Sequence, residues 1–367
     1  MGGEEINFIQ EAFSKNWIAP LGPNVDGFEE DLKAFLNIGA AAALNSGTSA
    51  LHLGLIQLGV SAGDYVFCQT MTFSASANPI KYLGANPVFI DSEKETWNIC
   101  PIALEAAITD LLNRDIPKEK LKAIIPVHLY GMPAKVAELM AISQKYAIPI
   151  IEDAAESIGS TFNGKKCGTF GEMGVLSFNG NKIITTSGGG ALLSNDVNKI
   201  AHTRFLATQA KDDAPHYEHS HIGYNYRMSN VVAGIGRGQM KVLEERIRQR
   251  RNNYNRYIRR YSKVAGIEFQ PEKYGSFSNR WLTCLTINPT ITGYSREDIR
   301  LALKADNIES RPLWKPMHIQ PIFRNELYYG GKVAEDLFEN GLCLPSGSNL
   351  QEEDFERIFA ILDKFFV

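Results

Sequence analysis

The sequence has few cysteines and no pattern that pairs them. Its five cysteines are scattered along the chain and include no Cys-x-x-Cys pair. We therefore expect free, mostly buried thiols and a reducing, cytoplasmic environment. Three histidines lie close together at His216, His219 and His221. The chain contains no His-Glu-x-x-His or Cys/His spacing of the kind that binds zinc, so we predict no metal site.

Long apolar runs are also missing. Runs such as 123–127 and 148–151 have the length of a strand, far below the roughly 20 residues of a membrane span. The first residues show no signal-peptide pattern. A net charge of -3 over 367 residues offers no basic surface for nucleic acid or anionic lipid. We expect neither a membrane nor a nucleic acid as a partner.

Apolar strands alternate with helical patterns through the first part of the chain. Strands are predicted at 40–45, 65–69, 86–90, 123–127, 148–153, 174–178 and 190–194. Helices are predicted at 4–16, 25–36, 48–57, 73–83, 101–112, 133–146 and 197–206. This alternation predicts an α/β fold with a mostly parallel central sheet covered on both faces. Ligands bind such sheets at the carboxyl ends of strands, where Asn45, His128 and Asp153 should converge.

The pattern changes in the last third of the sequence. One long helical pattern covers 230–261, followed by a strand at 281–287 and helices at 296–307 and 352–366. Long helices of this kind often link two domains. We predict a large α/β domain of residues 1–245, with a helical N-terminal segment, and a smaller C-terminal α+β domain of residues 246–367.

A turn between the first strand and the next helix has the features of a phosphate site. Ser46-Gly47-Thr48-Ser49 offers free backbone N–H groups, hydroxyl side chains and the positive end of a helix dipole. It lacks the Walker pattern. An ordinary Ser/Thr helix cap explains the same residues equally well.

Lys182 stands alone in a stretch that has no acidic residue between Gly174 and Leu193. Three glycines, 188–190, follow it and would let a large flat group approach the backbone. By itself this stretch favours a surface lysine on a glycine-rich loop. Together with the phosphate turn and with Asp153 at a strand end, it forms the set that pyridoxal 5′-phosphate needs. That set is a phosphate anchor, an acid for the pyridine nitrogen and a lysine that forms an imine.

Three segments, 44–53, 152–156 and 177–182, make the chain resemble the DegT/DnrJ/StrS sugar aminotransferases, which have the fold-type I architecture of pyridoxal-phosphate enzymes. The resemblance runs over essentially the whole chain. Segments 177–190, 216–219, 223–230 and 311–318 are similar to the branch that aminates C4 of a UDP-linked 4-keto-6-deoxy-N-acetylhexosamine. The resemblance implies L-glutamate as amino donor and a homodimer with shared active sites. A GDP- or dTDP-linked sugar, amination at C3, and a non-catalytic cofactor-binding protein are the alternatives.

The resemblance also implies roles for individual residues. Lys182 is the residue that bonds to the cofactor, Asp153 pairs with the pyridine nitrogen, and Glu156 stands at the ring hydroxyl, where many relatives have glutamine. For the cofactor phosphate, the resemblance implies Thr48 and Ser177 as ligands, with Gly47 and Ser49 close by. It implies that Phe73 lies on the face of the cofactor ring. It also implies that Asn225 reaches the phosphate bound by the other subunit. Each has an ordinary structural explanation, as a cap, core or turn residue.

The predicted substrate residues rest on weaker signals. Arginines beside aromatic residues suit a diphosphate sugar, and five residues form this set: Arg280, Arg311, Trp314, His318 and His216. The first four could equally brace the small domain. His216 could line the substrate or simply be exposed.

Overall fold

We describe the protein from a computed structural model that covers residues 1–366; Val367, the last residue of the predicted second domain, lies outside the described residues. The helices are α1 Glu5–Ser14, α2 Pro23–Leu36, α3 Gly47–Gln57, α4 Asn78–Tyr82, α5 Pro101–Asn113, α6 Val136–Tyr146, α7 Val197–Ala207, α8 Asn230–Met240, α9 Leu243–Tyr261, α10 Pro289–Thr292, α11 Arg296–Ala305, α12 Val333–Asn340 and α13 Glu352–Phe366. Among the described residues, none of these helices has the length and apolar content needed to cross a bilayer.

The strands are short and mostly buried. They are β1 Ala40–Leu44, β2 Tyr65–Gln69, β3 Asn86–Ile90, β4 Leu121–Ile125, β5 Ile151–Asp153, β6 Thr161–Phe162, β7 Lys165–Lys166, β8 Met173–Ser177, β9 Gly190–Ser194, β10 Ile267–Phe269, β11 Ser276–Phe277, β12 Thr283–Ile287, β13 Arg311–Pro312, β14 Leu327–Tyr329 and β15 Gly341–Leu344. Alanine and branched or aromatic residues fill β1 to β4, and these strands are buried on both faces.

Two four-stranded sheets form the centre of the molecule. Their orders are β1-β9-β8-β5 and β14-β3-β2-β4. Single parallel bridges, Ile124 to Ile150 and Val127 to Asp153, connect β4 to the β5 segment. In these two sheets, as far as the described residues 1–366 go, only β9 runs antiparallel to its two neighbours. The prediction of a mostly parallel α/β sheet is confirmed, and the carboxyl ends of β1, β5 and β8 meet at one edge.

Two predicted helices are each divided in the structure. The pattern at 73–83 contains a 3₁₀ turn, Ser74–Ser76, followed by α4. Pro79 lies in the first turn of α4 and has no N–H to continue a helix from the turn before it. The pattern at 230–261 breaks between Met240 and Leu243, giving α8 and α9. The prediction of one continuous helix in each place was therefore wrong.

The break after α8 lies where the N-terminal segment packs. Gln239 of α8 donates to the Glu5 carboxylate, whose oxygens also accept the N–H groups of Gly2 and Gly3. A Cβ at Gly2 would lie 2.8 Å from the side chain of Val242, one of the two residues between the helices. The N-terminal segment therefore packs against the break between α8 and α9.

The C-terminal part has its own antiparallel sheet, β10-β12-β15-β13. Its core includes Tyr257 and Tyr261 of α9, Leu303 of α11 and Phe355 of α13. Two other strands of the C-terminal part pair with the first part of the chain instead. Strand β14 extends the central sheet beside β3, and β11 pairs with β6. The division at residue 245 stays a prediction, and residues on both sides of it can reach the same site.

Candidate active site

A cluster of unpaired donors lies at the edge where β1 and β8 end. Ser46 caps α3, because its hydroxyl accepts the N–H of Ser49 at 3.0 Å. Within the described residues 1–366, no acceptor is found for the N–H groups of Gly47 and Thr48 or for the hydroxyls of Thr48 and Ser177. Free donors at the positive end of a helix form a site for a phosphate group.

Glycines bring the two sides of this cluster together. A Cβ on Gly47 would lie 3.1 Å from Cβ of Ser177, and one on Gly190 would lie 2.4 Å from the nitrogen of Gly47. Ser177 and Gly190 are also paired in the β8–β9 ladder, and Gly190 is paired with Leu44. The phosphate turn therefore approaches Ser177 as closely as backbone atoms allow. Ser49, also predicted here, is buried, and its hydroxyl bonds to Ser46 and Asn45 instead.

Asp153 ends β5 on the same edge and is 5% exposed. Its Oδ2 accepts the Ser76 hydroxyl at 2.6 Å, and its Oδ1 accepts the N–H of Ala155 at 3.1 Å. The carboxylate is therefore fixed in direction. It has the position expected of an acid at the end of a strand, and the contact with Ser76 holds it there.

The side chain of His128 does not face the Asp153 carboxylate. Its Nδ1 accepts the N–H of Ala134 at 3.0 Å, and its Nε2 donates to Glu152 at 2.9 Å. Glu152 also accepts N–H groups from the 168–171 loop. Because adjacent residues in a strand face opposite sides of the sheet, Glu152 and Asp153 point apart. The backbone N–H of His128 nevertheless donates to the carbonyl of Asp153 at 3.1 Å, so the two residues do converge at the strand ends as predicted. Only the imidazole is turned away from the Asp153 carboxylate, into a buried network with Glu152.

Glu156 is buried beside the same edge. Its Oε2 accepts the N–H of Tyr130 at 2.5 Å, and its backbone carbonyl accepts the side chain of Asn279 at 2.9 Å. Burial raises the pKa of Glu156 to about 7, although the positive charge of Lys182 and the Tyr130 N–H act to lower it. A carboxyl group in this state can hold or release a proton near neutral pH.

Lys182 lies on a half-buried loop after β8. Its Nζ lies 4.3 Å from the ring centroid of Trp281. Ile183 and Ile184, which have the sequence preference of a strand, lie in bends and enter the core instead. The loop thus anchors its apolar side chains and leaves the amine above the sheet edge that carries Asp153 and Glu156.

An aromatic wall stands beside the lysine. Trp314 contacts Phe73 at 5.8 Å, Tyr130 at 5.2 Å and Trp281 at 6.3 Å between ring centroids. The N–H of Trp314 donates to the Tyr130 hydroxyl at 2.9 Å. Phe73 is 59% exposed, so its ring is available at the mouth of the site. This wall suits a flat ring or a sugar.

His318 is part of a rigid group next to the wall. Its ring stacks on Tyr328 at 3.7 Å, and its Nδ1 lies 2.7 Å from the Thr70 hydroxyl. Its Nε2 lies 3.4 Å from Glu335. Desolvation lowers the pKa of His318, while Glu335 acts to raise it. The role of His318 toward the substrate stays a prediction.

Arg280 and Arg311 are not brought to the cluster. Arg280 is 2% exposed, its guanidinium lies 3.8 Å from the centroid of the Tyr254 ring, and Nη1 donates to the carbonyl of Gln270. These contacts give it the bracing role that was the alternative to substrate binding. Arg311 has an exposed side chain paired with Glu309.

Two further predicted residues lie at the surface of the chain. Asn225 is exposed, and its carbonyl accepts the side chain of Asn45 at 3.2 Å, next to the phosphate turn. His216 is exposed and lies 3.3 Å from Glu218. His216, His219 and His221 make separate contacts, so the three do not meet at one point.

Sequence reasoning missed the residues that hold the site together. Ser76, Tyr130, Asn279 and Trp281 were not singled out, although each contacts a predicted site residue or its backbone. Trp281 could have been found from the sequence, because it directly follows Arg280, and an arginine beside an aromatic residue is the pattern that defined the predicted substrate set. No local pattern links Ser76 to Asp153, because their contact depends on how the sheet brings two loops together.

Comparisons with known proteins place the chain among enzymes that need such a site. The model of the DegT/DnrJ/EryC1/StrS aminotransferase family matches residues 1–363. EpsN of Bacillus subtilis (strain 168), assigned by its name to the pyridoxal phosphate-dependent aminotransferases, is 52% identical over 371 residues, covering 100% of this chain and 94% of that protein. GDP-perosamine synthase of Caulobacter vibrioides is 34% identical, covering 100% and 96%. The crystal structure of a DegT DnrJ EryC1 StrS aminotransferase from Brucella abortus has a TM-score of 0.91 at 29% identity, covering 99% and 95%.

The fold and the site define an aminotransferase with the fold-type I architecture. The chain belongs to the DegT/DnrJ/EryC1/StrS aminotransferase family, and its cofactor is pyridoxal 5′-phosphate. The residues present fit that cofactor: the free donors of Gly47, Thr48 and Ser177 suit its phosphate, and the buried Asp153 suits its ring nitrogen. The family resemblance predicted from the motifs is confirmed, and the protein is a sugar aminotransferase.

Proposed function

We propose that this enzyme transfers the amino group of L-glutamate to C4 of a UDP-linked 4-keto-6-deoxy-N-acetylhexosamine. The observation that carries the proposal is the placement of one amine, Nζ of Lys182, on a wall of aromatic rings at the sheet edge where Asp153 lies. The motifs in 177–190 and 311–318 support the sugar and the position of attack.

The chain's residues divide the work of holding the cofactor. Gly47, Thr48 and Ser177 bind its phosphate, Asp153 pairs with its ring nitrogen, and Phe73 covers its ring. When bound, pyridoxal phosphate supplies an aldehyde that exchanges amino groups and a ring that accepts electrons. Glu156 faces the ring hydroxyl, and its raised pKa lets it stay neutral there instead of adding a second negative charge.

Lys182 has two tasks in this proposal. Its Nζ holds the cofactor between reactions, and once released it moves protons. In the first half of the cycle it would take the proton from the α-carbon of glutamate and place it on the cofactor carbon that carries the amino group. In the second half it would take that proton back and deliver it to C4 of the sugar. One base serving both halves explains why a single lysine suffices at this edge of the sheet.

The sugar nucleotide is proposed to lie against the aromatic wall. Trp314 and Phe73 offer ring faces, and His318, held by Thr70 and Tyr328, offers a polar group beside them. Arg280 is not among the proposed substrate residues, because its guanidinium is enclosed by Tyr254 and Gln270. A GDP-linked keto sugar is the second candidate, and the similarity to a GDP-perosamine synthase favours it.

We further propose a homodimer in which Asn225 of each subunit reaches the phosphate bound by the other. Asn225 and most of the 211–222 loop are exposed, and Tyr217 and Ile222 are 84% and 86% exposed. A cytoplasmic location is part of the same proposal, because all five cysteines are free. Light scattering of the purified protein tests the dimer.

The decisive experiment supplies glutamate and a panel of UDP-, GDP- and dTDP-linked keto sugars and determines the products by mass spectrometry. We expect a mass consistent with an amino sugar and an equal amount of 2-oxoglutarate with the UDP sugar. Activity only with a GDP or dTDP sugar would replace the substrate assignment. Nuclear magnetic resonance of the product shows whether C4 or C3 carries the amine.

The role of Lys182 has its own test. Borohydride reduction of the loaded protein followed by peptide mapping should place the added mass on the peptide that contains Lys182. Lys182→Ala should lose turnover, whereas Lys263→Ala, at an exposed lysine far along the chain, should keep it. Normal turnover by Lys182→Ala would contradict the proposed mechanism. Absence of any glutamate-dependent loss of cofactor absorbance would favour the non-catalytic alternative.

A further inference from the structure

The amine of Lys182 rests on the face of an indole. Its Nζ lies 4.3 Å from the centroid of the Trp281 ring. Within the described residues 1–366, Lys182 forms no ion pair with an acidic side chain. A cation over the face of tryptophan is attracted by the ring quadrupole, and the attraction strengthens where water is excluded. The ring is therefore a direct contact of this amine, whereas Glu156 interacts with its charge without forming an ion pair.

Trp281 itself is held at every polar atom. Its N–H donates to Oδ1 of Asn279 at 2.9 Å, and its carbonyl accepts Nη1 of Arg250 at 2.9 Å. Its indole N–H donates to the carbonyl of Asn181, the residue before Lys182, also at 2.9 Å. The side chain is 2% exposed. Such a ring cannot swing away, and it is tied directly to the loop that carries the lysine.

The segment before Trp281 is shaped for this contact. Asn279 donates to the carbonyls of Glu156 and Ile158, at 2.9 and 3.0 Å. Arg280 has φ of 51°, in the left-handed region that non-glycine residues seldom occupy. That backbone turns the arginine into the interior and lets Asn279 and Trp281 both face the site. The residues 279–281 thus connect the Glu156 segment to the Lys182 loop.

We propose that Trp281 is a positioning residue for Lys182, which extends the role proposed above for that lysine. A lysine released from the cofactor has a flexible stem with a large rotamer entropy. The Trp281 ring keeps the released ammonium group at one place beside the aromatic wall while the second substrate binds. The amine therefore stays at a defined position between the two half-reactions, and it acts as a base only after it has lost the extra proton of the ammonium form.

Chemical labelling of the cofactor-free protein tests the contact. Trp281→Leu removes the ring face, and Trp281→Phe keeps one. Acetylation with an active ester, followed by peptide mass spectrometry, measures the labelling rate of Lys182 relative to exposed Lys118. Loss of a contact worth about 1 kcal/mol should raise that ratio about fivefold in Trp281→Leu, with Trp281→Phe within about twofold of the native protein. Equal ratios in all three proteins would overturn the proposal.

A second measurement does not depend on the folding of Trp281→Leu. Lys182→Met removes the cation, so it should change the tryptophan emission of the native protein. In the Trp281→Phe background the same substitution should leave the emission unchanged, because the reporting ring is absent. An equal change in both backgrounds would show that another tryptophan responds and would contradict the contact.

Kinetics separate positioning from a general structural effect. Trp281→Leu should lower kcat at least about tenfold with KM for the sugar nucleotide within about twofold, and Trp281→Phe should recover most of kcat. A rise in KM with unchanged kcat would indicate a binding role and would overturn the proposal. If labelling of Lys182 responds to Trp281 but borohydride reduces another lysine, the proposed function fails while the contact between the two residues stands.

Discussion

The hydroxyl of Ser76 donates a hydrogen bond of 2.6 Å to Oδ2 of Asp153. The hydroxyl oxygen of Ser76 also lies 2.6 Å from the hydroxyl of Thr72. A serine hydroxyl has one proton to donate, so Thr72 is the donor to Ser76. These three buried residues form a chain that directs the carboxylate, and the chain joins the loop after β2 to the end of β5.

Substituting Ser76, the middle residue of these hydrogen bonds, should leave the Asp153 carboxylate less firmly oriented. Ser76→Ala should weaken cofactor binding about tenfold, because a hydrogen bond to a charged group contributes about 1.5–3 kcal/mol. Asp153→Asn should lower turnover more strongly, since it removes the charge. Ser74→Ala, two residues away and half-buried, is the control. Absorbance titration with pyridoxal phosphate measures the affinity, and an equal loss in the control would argue against the chain.

The phosphate site should tolerate an added Cβ to different degrees at Gly47 of the turn and at Gly190 of β9. A Cβ on Gly190 would lie 2.4 Å from the nitrogen of Gly47, which is backbone and cannot move aside alone. A Cβ on Gly47 would meet Ser177 Cβ at 3.1 Å and needs a smaller shift. We expect Gly190→Ala to lose cofactor affinity by more than Gly47→Ala. The same titration decides this, and the reverse order would show that the donors are not placed as described.

The pH dependence of stability should reveal Glu156. Its pKa rises from 4.5 to about 7 on folding, with burial as the main cause. The folded chain binds this proton more tightly, so the stabilisation is complete below pH about 4.5 and is lost as the pH rises to about 7. The full effect is on the order of 3 kcal/mol.

Glu156→Gln should remove that pH dependence. Urea unfolding of the cofactor-free protein at pH 5 and pH 7.5 should show a smaller difference between the two pH values in the variant than in the native protein. Exposed Glu30→Gln serves as the control and should keep the native difference. If Glu156→Gln keeps the native difference as well, the carboxyl group titrates in its ordinary range.

A second buried carboxylate is structural. Glu29 of α2 accepts the N–H of Ala43 at 2.8 Å and is paired with Arg204 and Arg227 at 2.7 and 2.9 Å. Glu29→Ala leaves two arginines without their partner and should destabilise the fold by about 3–5 kcal/mol. Glu30→Ala, whose carboxylate faces solvent and pairs with Lys33, should change stability by less than about 1 kcal/mol. Thermal unfolding compares the two, and similar losses would contradict the distinction.

Much of the framework could be predicted from local signals. The strands β2, β3 and β9 have the predicted bounds, because each is a short apolar run between turn residues. The divided helix at 230–261 could not be predicted from the helical pattern, which continues through residues 241 and 242, where the structure breaks and the N-terminal segment packs. The direction of the His128 side chain could not be predicted either, because its partner Glu152 is set by which face of the sheet each residue occupies.

The amino-acid sequence alone determined the α/β class, because apolar spacing acts between near neighbours in the chain. Helix capping and glycine freedom are equally local, but they only made the turn at 46–49 and Lys182 candidates. The combined motifs and the family resemblance singled these residues out, and their roles stay predictions. The tertiary structure alone decided that Lys182 meets Trp281, that Ser76 meets Asp153 and that Arg280 turns inward. Those contacts join residues that are distant in sequence, and their geometry follows from how the sheet edge and the C-terminal segments pack together, which no local pattern encodes.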